Sequence, residues 1–137
     1  MGYHAQSDWN LTIKTSLPEL AADIRAMLDG KTYWPLSTDD SDLLHNLMGE
    51  MSEDADSQVR LDESGRGSWQ GWGGGKCLTL ASEDSVWSML AKHCVGTVDW
   101  CGEDESYWRI RLYGNGEFRE FAGQIVYPLD TAALVGA

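Results

Sequence analysis

The stretch "SYWRIRLYGNGEFREF", residues 106–121, decides the fold. Its first half alternates: Trp108, Ile110 and Leu112 fall on one side, Arg109 and Arg111 on the other. A period of two is the mark of a strand with one buried face. The triplet Gly114-Asn115-Gly116 then tolerates the positive φ of a tight reversal, so the two flanking runs predict a hairpin. "EFREFAGQIVYP" (117–128) returns as the last strand, with a bulge expected at Gly123 because the apolar phase shifts there. The chain therefore reads as ending in an antiparallel meander.

Further strands lie upstream. "TVDWC" (97–101) puts Val98 and Trp100 on one side, and "YHAQSDWNLTIK" (3–14) alternates through Tyr3, Ala5, Ser7, Trp9, Leu11 and Ile13. Three segments have helical spacing instead. "SLPELAADIRAMLDG" (16–30) opens with Ser16 and Glu19 at capping-box distance, and Gly30 is placed to close it. "STDDSDLLHNLMGEM" (37–51) is expected to cap at Thr38 or Ser41, and "EDSVWSMLAKHCV" (83–95) at Ser82 with Gly96 as its stop. "SQVRLDE" (57–63) and "KCLTLA" (76–81) read as short strands. The order β, α, α, β, β, α, β, β, β predicts a single α+β domain over residues 1–137. Its expected form is a mostly antiparallel sheet of about five or six strands, three helices on one face and a C-terminal β-meander.

Composition narrows the function classes. With 7 Trp and 42% hydrophobic residues the chain has the makings of a packed core rather than of disorder. No apolar run is long enough to span a bilayer and no leader pattern opens the chain, so a cytoplasmic protein is expected. Cys77, Cys94 and Cys101 form no CxxC pair, which predicts reduced thiols. The His93-Cys94…Cys101 spacing matches no common zinc motif. "DADSQV" (54–59) lacks the third ligand and the glycine of a calcium loop. No cofactor is implied.

The charge is informative. The chain carries −12, and its pI is about 4.4. Such a surface repels nucleic acid and anionic membrane and attracts basic protein. Nine acids (Asp39, Asp40, Asp42, Glu50, Glu53, Asp54, Asp56, Asp62 and Glu63) lie in one stretch against a single base, Arg60, so that 39–63 holds −8 of the total.

"GSWQGWGGGK" (67–76) suggests a phosphate loop, but the templates fail. A Walker loop needs glycine at Gln70 and a hydroxyl at Cys77, and the dinucleotide pattern would need glycine at Lys76. Trp69 and Trp72, set among glycines, are the candidate apolar anchors, with at least one of them expected to be partly exposed. Two alternatives stay open. Read as a loop, the Gly-Trp stretch would roof a pocket lined by its tryptophans and by Arg109, Arg111 and Arg119, with Lys76, candidates for anion binding and hence sequestration of a small molecule or nucleotide, with Glu117 and Glu120 as charge partners if the row is only structural. Glu103, Asp104 and Glu105 between two strands are the acidic cluster a small hydrolase would use. None of His4, His45 and His93 sits in a nucleophile motif.

The tail "GTVDWCGEDESYWRIRLYGNGEFREFAGQIVYP" (96–128) resembles the endings of small uncharacterised phage- and prophage-encoded acidic α+β proteins, in which a Trp-rich meander closes the domain. The resemblance implies a viral setting. It also implies the mode of action of small acidic phage proteins that block a host nuclease, restriction or CRISPR complex by occupying a basic nucleic-acid channel. Together these observations predict a non-enzymatic binding protein, without catalytic or metal-ligating residues. Its acidic 39–63 stretch and Trp69 and Trp72 would meet a basic host protein or nucleoprotein complex. Direct nucleic-acid and membrane binding are not expected, and a homodimer stays open.

Overall fold

The computed structural model describes residues 4–28, 39–77 and 79–123. These residues form β1 (Ala5–Ile13), α1 (Leu17–Leu28), α2 (Asp40–Met51), β2 (Ser52–Leu61), β3 (Gly67–Cys77), α3 (Asp84–His93), β4 (Cys94–Gly102), β5 (Tyr107–Tyr113) and β6 (Phe118–Gly123). The six strands make one sheet in the order β2-β3-β1-β4-β5-β6, antiparallel throughout. β1 and β4 are its centre; β2 and β6 are its edges. The α+β architecture expected from the sequence is the one observed, with the three helices contributing to a single core on one side of the sheet.

Local signals account for most elements. Ser16 and Glu19 form a reciprocal capping box: the Glu19 N–H donates to Ser16 Oγ at 3.3 Å, and the Ser16 N–H donates to Glu19 Oε2 at 3.1 Å. Leu17, Leu20, Ala21, Ile24 and Leu28 give α1 its buried stripe. α2 is capped by Asp39, whose carboxylate accepts from the Asp42 N–H at 3.0 Å, rather than by the expected Ser41; Thr38 lies outside the described residues. A carboxylate at this position satisfies an orphan N–H and also complements the helix dipole. α3 starts after Glu83, which makes no side-chain cap bond, while Ser82 closes a 3₁₀ turn over Thr79–Ser82. Gly96 is not a helix stop: α3 ends at His93, and Gly96 lies inside β4, paired with Leu11 and Leu112.

The main correction concerns β3. The Gly-Trp stretch is no loop; it is an eleven-residue strand paired on both sides. Of "KCLTLA", Lys76 and Cys77 end that strand and Thr79, Leu80 and Ala81 belong to the 3₁₀ turn; Leu78 lies outside the described residues. Glycine is poor at holding a strand by itself, but here the close approach of β2 requires it. A Cβ on Gly71 would collide with the Asp56 carbonyl oxygen. On the covered side Trp9 stands opposite Gly71, and a Cβ on Gly73 would collide with the side chains of Ser52 and Ser7.

The core is built on tryptophan. Trp9 lies 5.2 Å from Trp69, 5.7 Å from Trp87 and 6.5 Å from Trp100, centroid to centroid, and Trp100 stacks on Trp108 at 5.8 Å with an interplanar angle of 3°. The Trp9 indole N–H donates to Ser7 Oγ at 2.9 Å, and that of Trp87 to the Ala81 carbonyl at 2.9 Å. The β5–β6 hairpin turns through Gly114 and Gly116, both at positive φ, as the sequence predicts. The expected bulge is absent as far as Gly123, which pairs in register with Tyr107; residues beyond it are outside the described set.

Candidate interaction surface on the open sheet face

Alternation on β1 buries Ala5, Ser7, Trp9, Leu11 and Ile13 and leaves Gln6, Asp8, Asn10 and Thr12 on the opposite side. No helix among the described residues contributes to this second side, so the register lays its side chains out in rows across the sheet. One row runs Asp56–Trp72–Asp8–Asp99–Arg109–Phe121, from edge to edge. The next runs Gln58–Gln70–Asn10–Thr97–Arg111–Arg119. Flanking rows add Asp54, Cys101 and Tyr107 at one end and Arg60, Val95 and Tyr113 at the other.

Trp72 dominates the face, 56% exposed and flanked by carboxylates on both neighbouring strands. Two open grooves border it. One, of ≈ 500 Å³, reaches Asp8, Asp99, Cys101 and Tyr107; the other, of ≈ 530 Å³, reaches Asp8, Asp56, Gln58 and Gln70. A third groove, of ≈ 650 Å³, continues past Asp99 between Tyr107, Arg109, Arg111 and Phe121. Phe121 and Tyr113 are 44% and 38% exposed. Exposed aromatics on one continuous face mark an interaction site more often than chance surface.

The charges divide along the sheet. Asp54, Asp56, Asp8 and Asp99 lie on β2, β1 and β4, while Arg109, Arg111 and Arg119 lie on β5 and β6; Arg60, at the end of β2, is the one base on the acidic side. Arg109 grips Asp99 in a bidentate pair, Nε to Oδ1 at 2.6 Å and Nη2 to Oδ2 at 3.1 Å, which pushes the guanidinium pKa up. Arg119 pairs with Glu117, in the turn just ahead of β6, at 3.1 Å and lies over the Tyr113 ring at 5.9 Å. Arg111 stands directly opposite Arg119 and has no ion-pair partner among the described residues. Glu120, expected as a cross-strand partner for this row, is opposite Ile110 and so belongs to the other side of the sheet.

The acids of 39–63 do not form one patch. α2 folds straight back over β2 with no intervening loop, and His45 Nδ1 lies 2.9 Å from Ser57 Oγ. Asp39, Asp40, Asp42 and Glu50 therefore lie on the helix side, with Asp40 bound to Arg25 at 2.8 Å. Glu53 accepts from the Lys76 backbone N–H at 3.3 Å. Only Asp54 and Asp56 reach the open face. Asp62 and Glu63 occupy the β2–β3 turn, where hydrogen bonds from Ser64 and Arg66 hold the Asp62 carboxyl below its usual range. Trp69, expected as an anchor, is wholly buried beside Trp9; that role is left to Trp72. Lys76, on β3, is three strands from β5 and lines none of these grooves. Glu103, Asp104 and Glu105 form the exposed β4–β5 turn. Sequence reasoning missed Asp8, Asp99, Tyr107 and Phe121, whose only signal is strand parity.

A second constellation lies at the far end of α3. Buried His93 has Nε2 2.6 Å from Asp23 Oδ2 and Nδ1 2.7 Å from Thr15 Oγ1, and Lys92 Nζ is 3.1 Å from the same carboxylate oxygen. The His93 hydrogen bond, then that of Lys92, lowers the Asp23 pKa. The chain hydroxyl–imidazole–carboxylate has the order of a general-base relay, yet none of the three grooves is lined by it. It ties the β1–α1 junction and α1 to the end of α3, where the Lys14 N–H also donates to the His93 carbonyl at 2.7 Å. Among the described residues no cluster of His, Cys, Asp or Glu is arranged to hold a metal ion, and no helix is long and apolar enough to cross a membrane.

The fold and the open face define the class: a six-stranded antiparallel α+β domain with one helix-covered and one exposed sheet surface. Comparison of the chain with protein-family models, curated proteins and solved structures gives no match.

Proposed function

We propose that this protein is a non-enzymatic binding domain that uses the open face of its sheet to hold a basic protein surface. The observation that carries the reading is Trp72, 56% exposed between Asp56 and Asp8. A large rigid ring supplies apolar contact at low entropic cost, and flanking carboxylates complement lysine and arginine at its rim. The net charge of −12 adds long-range attraction that salt weakens, since screening acts over ~8 Å at physiological ionic strength. The fuller form of the proposal rests on the likeness of residues 96–128 to phage proteins. In it the basic surface is the nucleic-acid channel of a host defence complex, and the protein is its inhibitor.

Affinity capture with purified protein, followed by quantitative binding to the captured partner, tests it. Trp72→Ala should weaken binding by about 30-fold or more, the scale of an interface hot spot. Asp8→Asn with Asp56→Asn should slow association and flatten its salt dependence. Binding untouched by all three substitutions would refute the reading.

A second reading has its own observation, the ≈ 650 Å³ groove between Tyr107, Arg109, Arg111 and Phe121. An aromatic-walled groove with an unneutralised guanidinium suits a small anion with a planar ring, such as a nucleotide. A nucleotide panel that leaves the melting temperature unmoved at millimolar concentration would rule this out.

A further inference from the structure

We infer that the open face is self-complementary and that its basic partner surface includes the arginine-bearing half of a second copy of this chain. The inference rests on the reading of this face as a binding surface and names the partner.

The strand order supplies the geometry. β1 and β4 are the central pair of six. A two-fold axis parallel to the strands, lying above the gap between them, carries β3 over β5 and β2 over β6. Each cross-strand row then faces its own reverse. Trp72 of one copy meets Arg109 of the other, a cation over an indole. Asp56 meets Phe121, with Arg119 in the adjacent row, and Gln70 meets Arg111. Asp8 meets an Asp99 that Arg109 already holds in a bidentate pair. Rotation about an axis perpendicular to the strands would instead lay β5 on β5 and β6 on β6, and so the arginines of one copy on those of the other. Charge selects the first axis, and closed two-fold contacts of this isologous kind are the commonest in soluble oligomers.

Two further features agree. Arg111 and Arg119 are opposed like charges on neighbouring strands, and Arg111 has no ion-pair partner among the described residues. Like charges directly opposite each other are unfavourable. The carboxylate of Asp56 lies four strands away, about 19 Å at ~4.8 Å per strand, so it cannot relieve them within one copy. A second copy brings it across. The face also has the area. Six strands span about 24 Å, and seven residues at ~3.4 Å span another 24 Å, giving about 600 Å² per copy. Two copies would bury about 1,200 Å² in total, the lower end of the range of specific interfaces.

Sedimentation equilibrium of the full chain should give twice 15.2 kDa at micromolar concentration in ~150 mM salt, where the repulsion between two chains of −12 is screened. Asp56→Arg and Arg119→Asp should each weaken the dimer by more than about tenfold, because each contact occurs twice and becomes a like-charge one. The two substitutions together in one chain exchange the charges and should recover most of the loss. Both sites are exposed on strand surfaces, and far-UV and near-UV circular dichroism identify any variant that has lost its fold. A native chain that stays monomeric to ~1 mM overturns the inference. So does a dimer that neither substitution weakens, or a double variant no better than either single one. A monomer that still captures a basic partner, and loses it on Trp72→Ala, overturns the dimer while leaving the proposed function standing.

Discussion

Trp69 and Trp72 are three residues apart and have opposite fates, because strand parity turns one into the core and the other out. Trp69 is fully buried against Trp9, and its replacement by alanine should cost about 3–5 kcal/mol in urea unfolding. Trp72→Ala removes a ring that already meets solvent and should shift stability by no more than about 0.5 kcal/mol. Equal losses in the two variants would contradict the parity assigned to β3. Asp23 gives a pH prediction. Its folded pKa is depressed below the ordinary 3.8 by His93 and Lys92, so its contribution is fully present above that value and is lost as pH falls through the folded pKa. Asp23→Asn should therefore lower stability at neutral pH and flatten its decline below pH 3.8, read as the urea midpoint across an acid series. The thiols differ as well. Burial pushes Cys94 up to about 12, so a thiol reagent at pH 8 should label half-buried Cys101 and spare Cys94 until the protein unfolds.

At the scale of elements, what was legible in the sequence was what is locally encoded. The Ser16–Glu19 box, the Leu17–Leu28 stripe and the Gly114–Gly116 turn carry their instructions within a few residues, and each appears where the sequence places it. β3 was not legible. Its glycines argue against a strand by propensity, and the reasons for them, the Asp56 carbonyl beside Gly71 and the Ser52 and Ser7 side chains beside Gly73, come from other elements. The same holds for the surface. That Arg109 and Arg111 share a side follows from alternation alone. That Asp8 and Asp99 join Trp72 in one row needs the β1–β3 and β1–β4 registers, which the sequence does not display. Gly71→Ala tests the close approach: the added methyl has to displace the β2 backbone and should cost about 1–3 kcal/mol. A neutral substitution would mean that β2 and β3 are further apart than described.

The whole molecule carries −12, yet its sheet face mixes four arginines with four aspartates (Arg60, Arg109, Arg111 and Arg119 with Asp8, Asp54, Asp56 and Asp99). The excess negative charge therefore sits elsewhere, on the helix side and at the turns, where like charges repel without compensation. Raising sodium chloride from ~10 mM to ~150 mM shortens the screening length from ~30 Å to ~8 Å and should raise the melting temperature. The exposed pairs that salt also weakens, Arg109–Asp99 and Arg119–Glu117, contribute too little to reverse the sign. A falling melting temperature over this range would show that attractive pairs outweigh the repulsion.

The edge position of β2 has one more consequence. A bare strand margin is a template for runaway stacking of chains into fibrils, and proteins commonly fence such margins with charge. Along β2 the fence is Glu53, Asp54 and Asp56. Two such margins meeting would bring carboxylate against carboxylate, and that repulsion opposes stacking. Glu53→Gln, Asp54→Asn and Asp56→Asn together remove the fence, and the triple variant should form thioflavin-positive aggregates where the native chain does not.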